Sequence, residues 1–375
     1  MDISQTLSQL REQGNFRTIP SETPGDVVDL SSNDYLGLAA RADLRGEFFG
    51  SLDPADALMS ASASRLLGAR QREFNSLERS LASAYGRPAL MFNSGYHANV
   101  GLVQALAGRH TLILADRLVH ASIIDGIRLS GADFLRFRHN DFDHLLDLVR
   151  AKANDYDTLL VIVESVYSMD GDRADIDRLV DVKRSLPDGR VILYVDEAHA
   201  VGVEGPAGLG LVAASSSPDS VDIVVGTLGK ALASVGAFAI MNSELRDYMV
   251  NKARSLIFST ALPPLCAAWS EFIFRRSLAM DDERRRLAAM SARLGAIVGA
   301  GSPGHIRPLV VGDPRRAVSL SQALLARGFK VLPIRTPTVP PGTERLRFSL
   351  SAAVDPADLD RLDSELHKIL QPDEA

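Results

Sequence analysis

The sequence predicts an α/β protein: a large domain built on a mostly parallel, doubly wound sheet, followed by a smaller α+β C-terminal domain. Three observations lead to this prediction. The chain has 375 residues, more than the roughly 100–200 residues of one typical domain. Between residues 89 and 241, apolar runs alternate with helical patterns, as in a parallel sheet flanked by helices. After Pro263–Pro264 this alternation ends.

The change of pattern near these prolines sets the predicted domain boundaries. We predict that residues 39–265 form the large domain and that residues 266–375 form the smaller one. Residues 1–38 are predicted to be an N-terminal segment that packs with the smaller domain.

Apolar spacing places the individual elements. A helical stripe is predicted over Ile3–Gln13 and another over Arg72–Tyr85. Continuous apolar runs, typical of strands buried on both faces, occur at Ala89–Phe92, Thr111–Ala115, Phe134–Phe137, Thr158–Val163, Val191–Val195, Val221–Val225 and Ala237–Met241. Helical patterns between them cover Asn99–Ala107, His120–Leu129, Asp141–Ala153 and Ile176–Leu186.

The C-terminal region has a different pattern. Two long helical patterns follow Pro264 and extend to about Val298. Further along the chain we predict strands near Ile306–Val311, Phe329–Leu332 and Arg345–Leu350, and helices near Arg315–Arg327 and Pro356–Leu370.

Composition excludes several classes of function. Hydrophobic residues make up 46% and charged residues 23% of the chain, which is ordinary for a globular protein. The formal net charge of −6 predicts no nucleic-acid or anionic-membrane partner, and no window approaches the roughly 20 apolar residues of a membrane span. Because Cys266 is the single cysteine, no intrachain disulfide is possible, and we predict a cytoplasmic location.

Two buried strands are predicted to end in polar side chains. The first runs into Asp196 and His199, at the strand end where ligands bind in open α/β sheets. Asp196 could instead cap the following turn, and His199 could be an ordinary loop histidine. The second strand runs into Lys230, which glycines flank. A partly desolvated lysine is a good Schiff-base nucleophile, although a surface lysine remains the alternative.

Two other strand ends carry different chemistry. Ser94-Gly95-Tyr96 leads into a helix, and free N–H groups at a helix start bind phosphate. His120 follows the next strand, where its imidazole could stack on a flat cofactor or lie on the helix surface.

Together these strand ends supply a lysine, a carboxylate, a stacking group and a phosphate cradle, the four needs of pyridoxal 5′-phosphate (PLP). In this prediction Lys230 holds PLP as a Schiff base, and Asp196 pairs with the pyridine nitrogen so that the ring acts as an electron sink. The glycine patterns of nicotinamide and P-loop sites are not present in the sequence, and no metal is predicted.

Seven segments carry a resemblance to a known family. They are similar, in order and spacing, to segments of the α-oxoamine synthase family of fold-type I PLP enzymes: SSNDYLGL (Ser31–Leu38), SGYHAN (Ser94–Asn99), DRLVHAS (Asp116–Ser122), ESVYSMDGD (Glu164–Asp172), DEAHAVG (Asp196–Gly202), GTLGKA (Gly226–Ala231) and STALPP (Ser259–Pro264). The resemblance covers essentially the whole chain and implies the PLP-dependent transferase fold type I.

The resemblance also implies roles around the cofactor. Lys230 acts as the acid/base at Cα of the amino acid, His199 hydrogen-bonds the phenolic oxygen of the ring, and His120 stacks on the ring. The other cofactor-binding positions that it implies are the backbone of Gly95 and Tyr96, together with Ser94, Thr227, Glu164, Ser168, Ser259 and Thr260. Since the last two match a segment that reaches the neighbouring subunit's phosphate, the resemblance implies a homodimer with shared active sites.

Three further positions are implied to bind substrate. Arg347 matches the residue that grips the amino acid carboxylate, for which a bidentate guanidinium is suited; a strand-surface arginine is the alternative. Arg17 matches an arginine near the acyl-donor entrance, and Asn33 is implied to touch the substrate.

The sequence departs from the family pattern at three places. A glycine-rich GSGGSR-type segment is replaced by SASASR (Ser60–Arg65), a usual histidine by Phe74, and a small polar pair by Ala200 and Val201. These positions leave the acyl donor open and do not touch the PLP residues.

The reaction that the resemblance implies is a decarboxylating condensation of an amino acid with an acyl thioester of CoA or acyl-carrier protein. The resemblance is strongest to members that use L-alanine and a pimeloyl thioester in biotin synthesis. Alternatives within the family use glycine with acetyl-CoA or succinyl-CoA, make long-chain autoinducers, or are serine palmitoyltransferases. An aminotransferase and a non-catalytic PLP-fold binding subunit are more distant alternatives.

Overall fold

A computed structural model describes residues 2–19, 25–186, 189–299 and 303–370. The chain forms two compact units, called unit 1 and unit 2 below. Unit 1 comprises Met1–Leu36, Ser168–Asp172 and Arg285–Ala375, and unit 2 comprises Gly37–Tyr167 and Arg173–Arg284. In this division residues 266–284 group with unit 2, whereas the sequence-based boundary assigns them to the smaller domain.

The described residues form helices and strands over most of their length. The helices are α1 (Ile3–Glu12), α2 (Ala42–Ser51), α3 (Arg72–Tyr85), α4 (Gly95–Leu106), α5 (Ala121–Ser130), α6 (Phe142–Lys152), α7 (Ile176–Arg184), α8 (Leu211–Ala214), α9 (Ser243–Lys252), α10 (Arg254–Ile257), α11 (Pro264–Ser277), α12 (Asp281–Val298), α13 (Pro314–Leu325) and α14 (Pro356–Leu370). The strands are β1 (Val28–Asp29), β2 (Ala89–Phe92), β3 (Thr111–Asp116), β4 (Asp133–Phe137), β5 (Thr158–Glu164), β6 (Val191–Asp196), β7 (Ile223–Thr227), β8 (Ala237–Ile240), β9 (Ile306–Val310), β10 (Phe329–Lys330), β11 (Leu332–Ile334) and β12 (Arg345–Ser349).

Strands β2 to β8 form one sheet in unit 2. Within the described residues their order is β2-β8-β7-β6-β5-β3-β4. β8 pairs antiparallel with β2 and β7, and the other pairs are parallel, so every strand except β8 runs in the same direction. The prediction of a mostly parallel sheet is therefore confirmed.

The core of unit 2 forms because most of the apolar runs predicted as strands bury nearly all their side chains. The prediction of burial on both faces is wrong for the edge strand β4, in which Phe134 and Leu135 are exposed and only Phe137 is buried. Ile113 of β3, Leu160 of β5 and Val225 of β7 are fully buried, and they belong to one cluster with Leu102 of α4 and Ile123 of α5. Burying one large aliphatic side chain contributes roughly 1.5–3 kcal/mol. This packing fixes the strand ends and the first turns of α4 and α5 relative to one another.

Unit 1 contains a small antiparallel sheet of order β11-β12-β9. The central strand β12 has every residue buried. Because side chains alternate along a strand, Arg345, Arg347 and Ser349 share one face of β12, and Leu346 and Phe348 share the other. A second, two-stranded sheet pairs β1 with β10 in parallel.

Helices α2 and α9 were not among the predicted elements. Only Leu44 and Phe48 are buried in α2, and only Met249 in α9, so neither helix shows the repeated apolar stripe on which the prediction depended. None of the helices among the described residues is both long enough and apolar enough to cross a membrane.

Candidate active site

Five strands of unit 2 end close to polar side chains that the sequence singles out. β2 ends at Phe92, β3 at Asp116, β5 at Glu164, β6 at Asp196 and β7 at Thr227. Since these strands run in the same direction, their carboxyl ends meet at one edge of the sheet, where open α/β sheets bind ligands.

Lys230 lies in the loop between β7 and the antiparallel strand β8. The loop is tight, because the N–H of Leu228 donates to the carbonyl of Gly236 and the N–H of Ala233 donates to the carbonyl of Lys230, both at 2.9 Å. The half-buried side chain of Lys230 places Nζ at 2.8 Å from Nε2 of the buried His199. The structure therefore puts these two predicted residues in hydrogen-bond contact.

Asp196 is buried at the end of β6, and both of its carboxylate oxygens accept hydrogen bonds. Oδ1 accepts from the N–H of Ala198 at 2.9 Å, which is the turn-capping role, and Oδ2 accepts from Nδ2 of Asn99 at 2.7 Å. Asp196 therefore caps the turn and is also held by a side chain of α4.

Glu164 lies opposite Asp196 in the register of β5 with β6. Burial raises the pKa of Glu164 well above its ordinary value, the Asp196 charge raises it further, and Lys230 opposes both effects. Burial and the neighbouring carboxylate therefore both favour the protonated form of this carboxyl group. The Oε1 atom is buried and has no hydrogen-bond partner among the described residues, which is unusual for a buried polar atom.

His120 is the N-cap of α5, and its Nδ1 atom accepts the N–H of Ser122 at 3.2 Å. Although the residue as a whole is exposed, partial burial of the imidazole lowers the pKa of His120; Asp196 opposes this effect and Lys230 adds to it. The imidazole is therefore neutral at neutral pH and lies within electrostatic range of the carboxylate and the amine.

The start of α4 is a capped helix N-terminus that follows directly after β2. Ser94 is the N-cap, and its Oγ accepts the N–H of His97 at 3.2 Å. The N–H groups of Gly95 and Tyr96 belong to the first turn, where a helix supplies no partners and favours negative charge. A Cβ atom added to Gly95 would lie 4.0 Å from Cβ of Thr227, so the end of β7 adjoins this helix start.

Ser259 and Thr260 lie beside Asn93, the residue that precedes the N-cap of α4. Nδ2 of Asn93 donates to Oγ of Ser259 at 2.9 Å and to the carbonyl of Thr260 at 2.6 Å. Asn93 was not singled out from the sequence, and it connects the STALPP segment with the start of α4 in the same chain.

A second group of predicted residues lies within unit 1. Nε of Arg347 donates to the carbonyl of Ser168 at 2.6 Å, and Nη2 donates to Oδ1 of Asn33 at 3.2 Å. The hydroxyl of Tyr35 donates to the same Asn33 oxygen at 3.0 Å. Because Arg347 is only 3% exposed, it is not a strand-surface arginine. Arg17 is exposed and contacts a different residue of unit 1, donating to Oγ1 of Thr338 at 3.3 Å.

Phe74 and the SASASR segment, where the sequence departs from the family pattern, lie in unit 2. Phe74 is buried with Ala261 and Ala267, and the guanidinium of Arg65 lies 4.5 Å from the centre of its ring. Arg65 also forms an ion pair with Glu78 at 2.8 Å. Phe74 therefore acts as a core side chain, and it supports the arginine that ends the SASASR segment.

Besides Asn93, three side chains that surround the candidate site were not predicted from the sequence. Asn99, Ser122 and Tyr194 are buried, and each is hydrogen-bonded to another of the three or to a predicted site residue. The available signal was an amide inside an apolar helical run, since Asn99 stands between Ala98 and Val100 in α4.

The fold and these side chains define the class of protein, the fold-type I transferases that use PLP. The donor set fits this cofactor: Lys230 supplies the amine, Asp196 the carboxylate and the start of α4 the phosphate cradle. Oε1 of Glu164 remains open to a polar ligand atom. The sequence pattern of the aminotransferase class I and II family matches residues 25–366, and the chain belongs to that family.

Curated relatives and solved structures agree with this assignment. The chain is 44% identical to the 8-amino-7-oxononanoate synthase of Chlorobaculum parvum, over 98% of each chain. It is 43% identical to the enzyme of the same name from Haemophilus ducreyi, over 96% of this chain and 95% of the relative.

Among solved structures, the serine palmitoyltransferase of Sphingomonas wittichii superposes with a TM-score of 0.89, at 28% identity, over 99% of this chain and 96% of that chain. The 8-amino-7-oxononanoate synthase of Francisella tularensis superposes with a TM-score of 0.77, at 27% identity, over 92% and 97%. These likenesses confirm the predicted fold type and the resemblance to PLP enzymes.

Proposed function

We propose that this chain condenses L-alanine with a pimeloyl thioester to give 8-amino-7-oxononanoate, carbon dioxide and a free thiol, in biotin synthesis. Cα of alanine loses a proton and bonds to the acyl carbon, the thioester C–S bond breaks, and the thiol takes a proton. The alanine carboxylate then leaves as carbon dioxide, and Cα is protonated again. The observation that carries the proposal is the match, over at least 95% of both chains, to two relatives that bear this name.

Lys230 moves the proton in this proposal. Its Nζ atom takes the proton from Cα of the bound amino acid, and His199, 2.8 Å away, orients the amine. Asp196 holds a proton on the ring nitrogen of PLP, and the cofactor supplies an electron sink for negative charge at Cα. Proton transfer by such a positioned group contributes roughly 10²–10⁴-fold to a rate.

Binding is assigned to the remaining predicted residues. Ser94, Gly95, Tyr96 and Thr227 would bind the phosphate and His120 would stack on the ring, while Glu164 and Ser168 keep their predicted assignment as cofactor-binding residues. Arg347 binds the substrate carboxylate, because its guanidinium is already oriented by Ser168 and Asn33. Arg17 is assigned to the acyl donor.

We also propose that the enzyme is a homodimer in which Ser259 and Thr260 of each chain complete the phosphate site of the other. The thiol that carries the pimeloyl group in this proposal is CoA or that of an acyl-carrier protein. The cytoplasmic location inferred from the single cysteine stays a prediction.

A serine palmitoyltransferase is the second candidate function. The structural match to the Sphingomonas wittichii enzyme, with its TM-score of 0.89, favours it, while the sequence identity of 28% is well below that to the two synthases. The two candidates use the same cofactor and differ in amino acid and acyl chain.

Thiol release by the PLP-loaded protein tests the proposal. Alanine, glycine and serine are each tested with pimeloyl-, acetyl-, succinyl- and palmitoyl-CoA, and alanine is also tested with pimeloyl-acyl-carrier protein. Release with alanine and a pimeloyl donor alone is the expected result. Release only with serine and palmitoyl-CoA would establish the second candidate, and release with no pair would overturn both.

A further inference from the structure

We propose that Asn99 and Ser122 are positioning residues that hold His120 as the neutral tautomer protonated at Nε2 and join it to Asp196. This inference rests on the proposed function, in which His120 stacks on the cofactor and Asp196 pairs with its ring nitrogen. The inference adds to the proposed function a fixed position for the ring proton of His120. That position follows from the hydrogen bonds around the imidazole.

The orientation of the Asn99 amide follows from its two neighbours. A carboxylate oxygen can only accept a hydrogen bond, so the amide atom at 2.7 Å from Oδ2 of Asp196 is the nitrogen Nδ2. The amide oxygen then faces the hydroxyl of Tyr194 at 2.6 Å. Burial raises the pKa of Tyr194 well above its ordinary value, so this hydroxyl keeps its proton and donates it to Asn99.

The second hydrogen of the amide fixes the direction of the Ser122 hydroxyl. Nδ2 of Asn99 has two hydrogens, and it lies 2.9 Å from Oγ of Ser122 as well as beside Asp196. Oγ therefore accepts from Asn99. The hydroxyl hydrogen of Ser122 is left for its other neighbour, Nδ1 of His120, at 2.7 Å.

Nδ1 of His120 consequently faces two donors. One is the hydroxyl of Ser122, and the other is the backbone N–H of the same residue at 3.2 Å. A ring nitrogen that accepts hydrogen bonds carries no proton, so the single ring proton of the neutral imidazole lies on Nε2. Ser122, which supplies both donors, is 0% exposed, and Asn99, which orients its hydroxyl, is 2% exposed.

The charged groups around His120 do not reverse this assignment. Asp196 and Asp125 favour the imidazolium form, whereas partial burial and Lys230 oppose it, and the pKa of His120 is lowered overall. Protonation at Nδ1 would also place an N–H group against the hydroxyl and amide donors of Ser122. The hydrogen bonds and the electrostatic balance therefore favour the same neutral form.

Nitrogen NMR of the histidine rings tests the proposal directly. The full-length protein is labelled with ¹⁵N-histidine and measured with PLP and after its removal, from about pH 5 to 8, where histidine titrates; His120→Gln assigns the signal. We expect an unprotonated Nδ1 and a protonated Nε2 in both forms. A protonated Nδ1 at neutral pH in both forms would overturn the proposal.

Ser122→Ala removes one donor to Nδ1 and should raise the pKa of His120 by about one unit, the size of one hydrogen bond. Ser122→Thr retains a hydroxyl and should restore the wild-type value, and Ser130→Ala on the same helix should leave it unchanged. An unchanged pKa in Ser122→Ala would show that Ser122 only packs there. Asn99→Ala, which frees the hydroxyl to rotate, provides a second variant with the same expected direction of shift.

The result is independent of the reaction assay. If thiol release fails with every substrate pair while the Nε2 tautomer and its dependence on Ser122 are observed, the proposed function falls and the positioning role remains. If thiol release succeeds and the tautomer is not observed, only the positioning role falls.

Discussion

Nζ of Lys230 lies 2.8 Å from Nε2 of His199, so the amine and the imidazole share one hydrogen bond before any ligand is considered. The tight loop between β7 and β8 and the burial of His199 fix this contact from both sides. A reactive amine held in this way loses little conformational freedom when it reacts.

Replacing Lys230 tests its assigned chemistry. Lys230→Ala should lose the visible absorbance that arises when PLP is joined to the lysine, and turnover should fall on the order of 10³-fold or more. Lys252→Ala removes an exposed lysine in the last turn of α9 and should leave both properties unchanged. Full activity in Lys230→Ala would remove the basis for the assignment.

Arg347 and Arg345 provide a matched pair for substrate binding. Both are buried on the same face of β12; Arg345 forms an ion pair with Asp170, whereas Arg347 is oriented by Ser168 and Asn33. Arg347→Lys should raise KM for the amino acid roughly tenfold to a hundredfold, because a lysine cannot reproduce a bidentate contact with a carboxylate. Arg345→Lys should leave this KM close to the wild-type value. Equal KM changes in the two variants would indicate a structural role for both arginines.

Mixed dimers test the shared active site. A Ser259→Ala/Thr260→Ala chain should need about tenfold more PLP for activity, from the loss of phosphate contacts. When it is co-expressed with a Lys230→Ala chain, the mixed dimer has one site with an intact lysine and an intact segment from the other chain. Activity at limiting PLP should then exceed that of either variant alone. Absence of this rescue would mean that the segment acts within its own chain.

Glu197 should make stability depend on pH. Burial raises its pKa from 4.5 to about 8, although the N–H groups of Val212 and Leu211 oppose the shift. The folded protein therefore holds a proton that the unfolded chain loses above about pH 4.5. The contribution of Glu197 is largest below this pH and is lost as the pH rises through about 8, with a slope of at most roughly 1.4 kcal/mol per pH unit.

The corresponding experiment compares Glu197→Gln with the wild type by urea unfolding at several pH values. The free energy of unfolding of the variant should fall less steeply with rising pH than that of the wild type. Glu244→Gln, which changes an exposed residue of α9, should follow the wild-type curve. Parallel curves for wild type and Glu197→Gln would contradict the assigned pKa.

Residues that follow strands could be predicted from the sequence because their position depends on local patterns. An apolar run buried on both faces identifies a strand, and the next polar residue then lies at the edge of the sheet. Asp196 and Glu164 meet this condition, and Lys230 lies three residues beyond Thr227, where β7 ends. Elements with few buried residues, such as α2, left no comparable pattern.

The side chains that orient these residues could not be predicted in this way. Asn99 bonds to Asp196 across 97 positions of the chain, and this contact depends on how α4 packs against β6. A single amide in an apolar helix does not indicate which strand it faces. The contact between Arg347 and Asn33 spans 314 positions and depends in the same way on the folded arrangement of unit 1.

Ser62 occupies a position where its side chain is unfavourable. Its φ angle is 55°, in the left-handed region that costs a non-glycine residue roughly 1–2 kcal/mol. It belongs to SASASR, where the family's segment is rich in glycine. Ser62→Gly should therefore raise the free energy of unfolding by up to about 1 kcal/mol, since relief of this strain exceeds the added entropy of the unfolded chain. Ala63→Gly, at a neighbouring residue without a positive φ, should lower it. If both substitutions lower the free energy of unfolding equally, backbone strain at Ser62 does not reduce the stability of the folded protein.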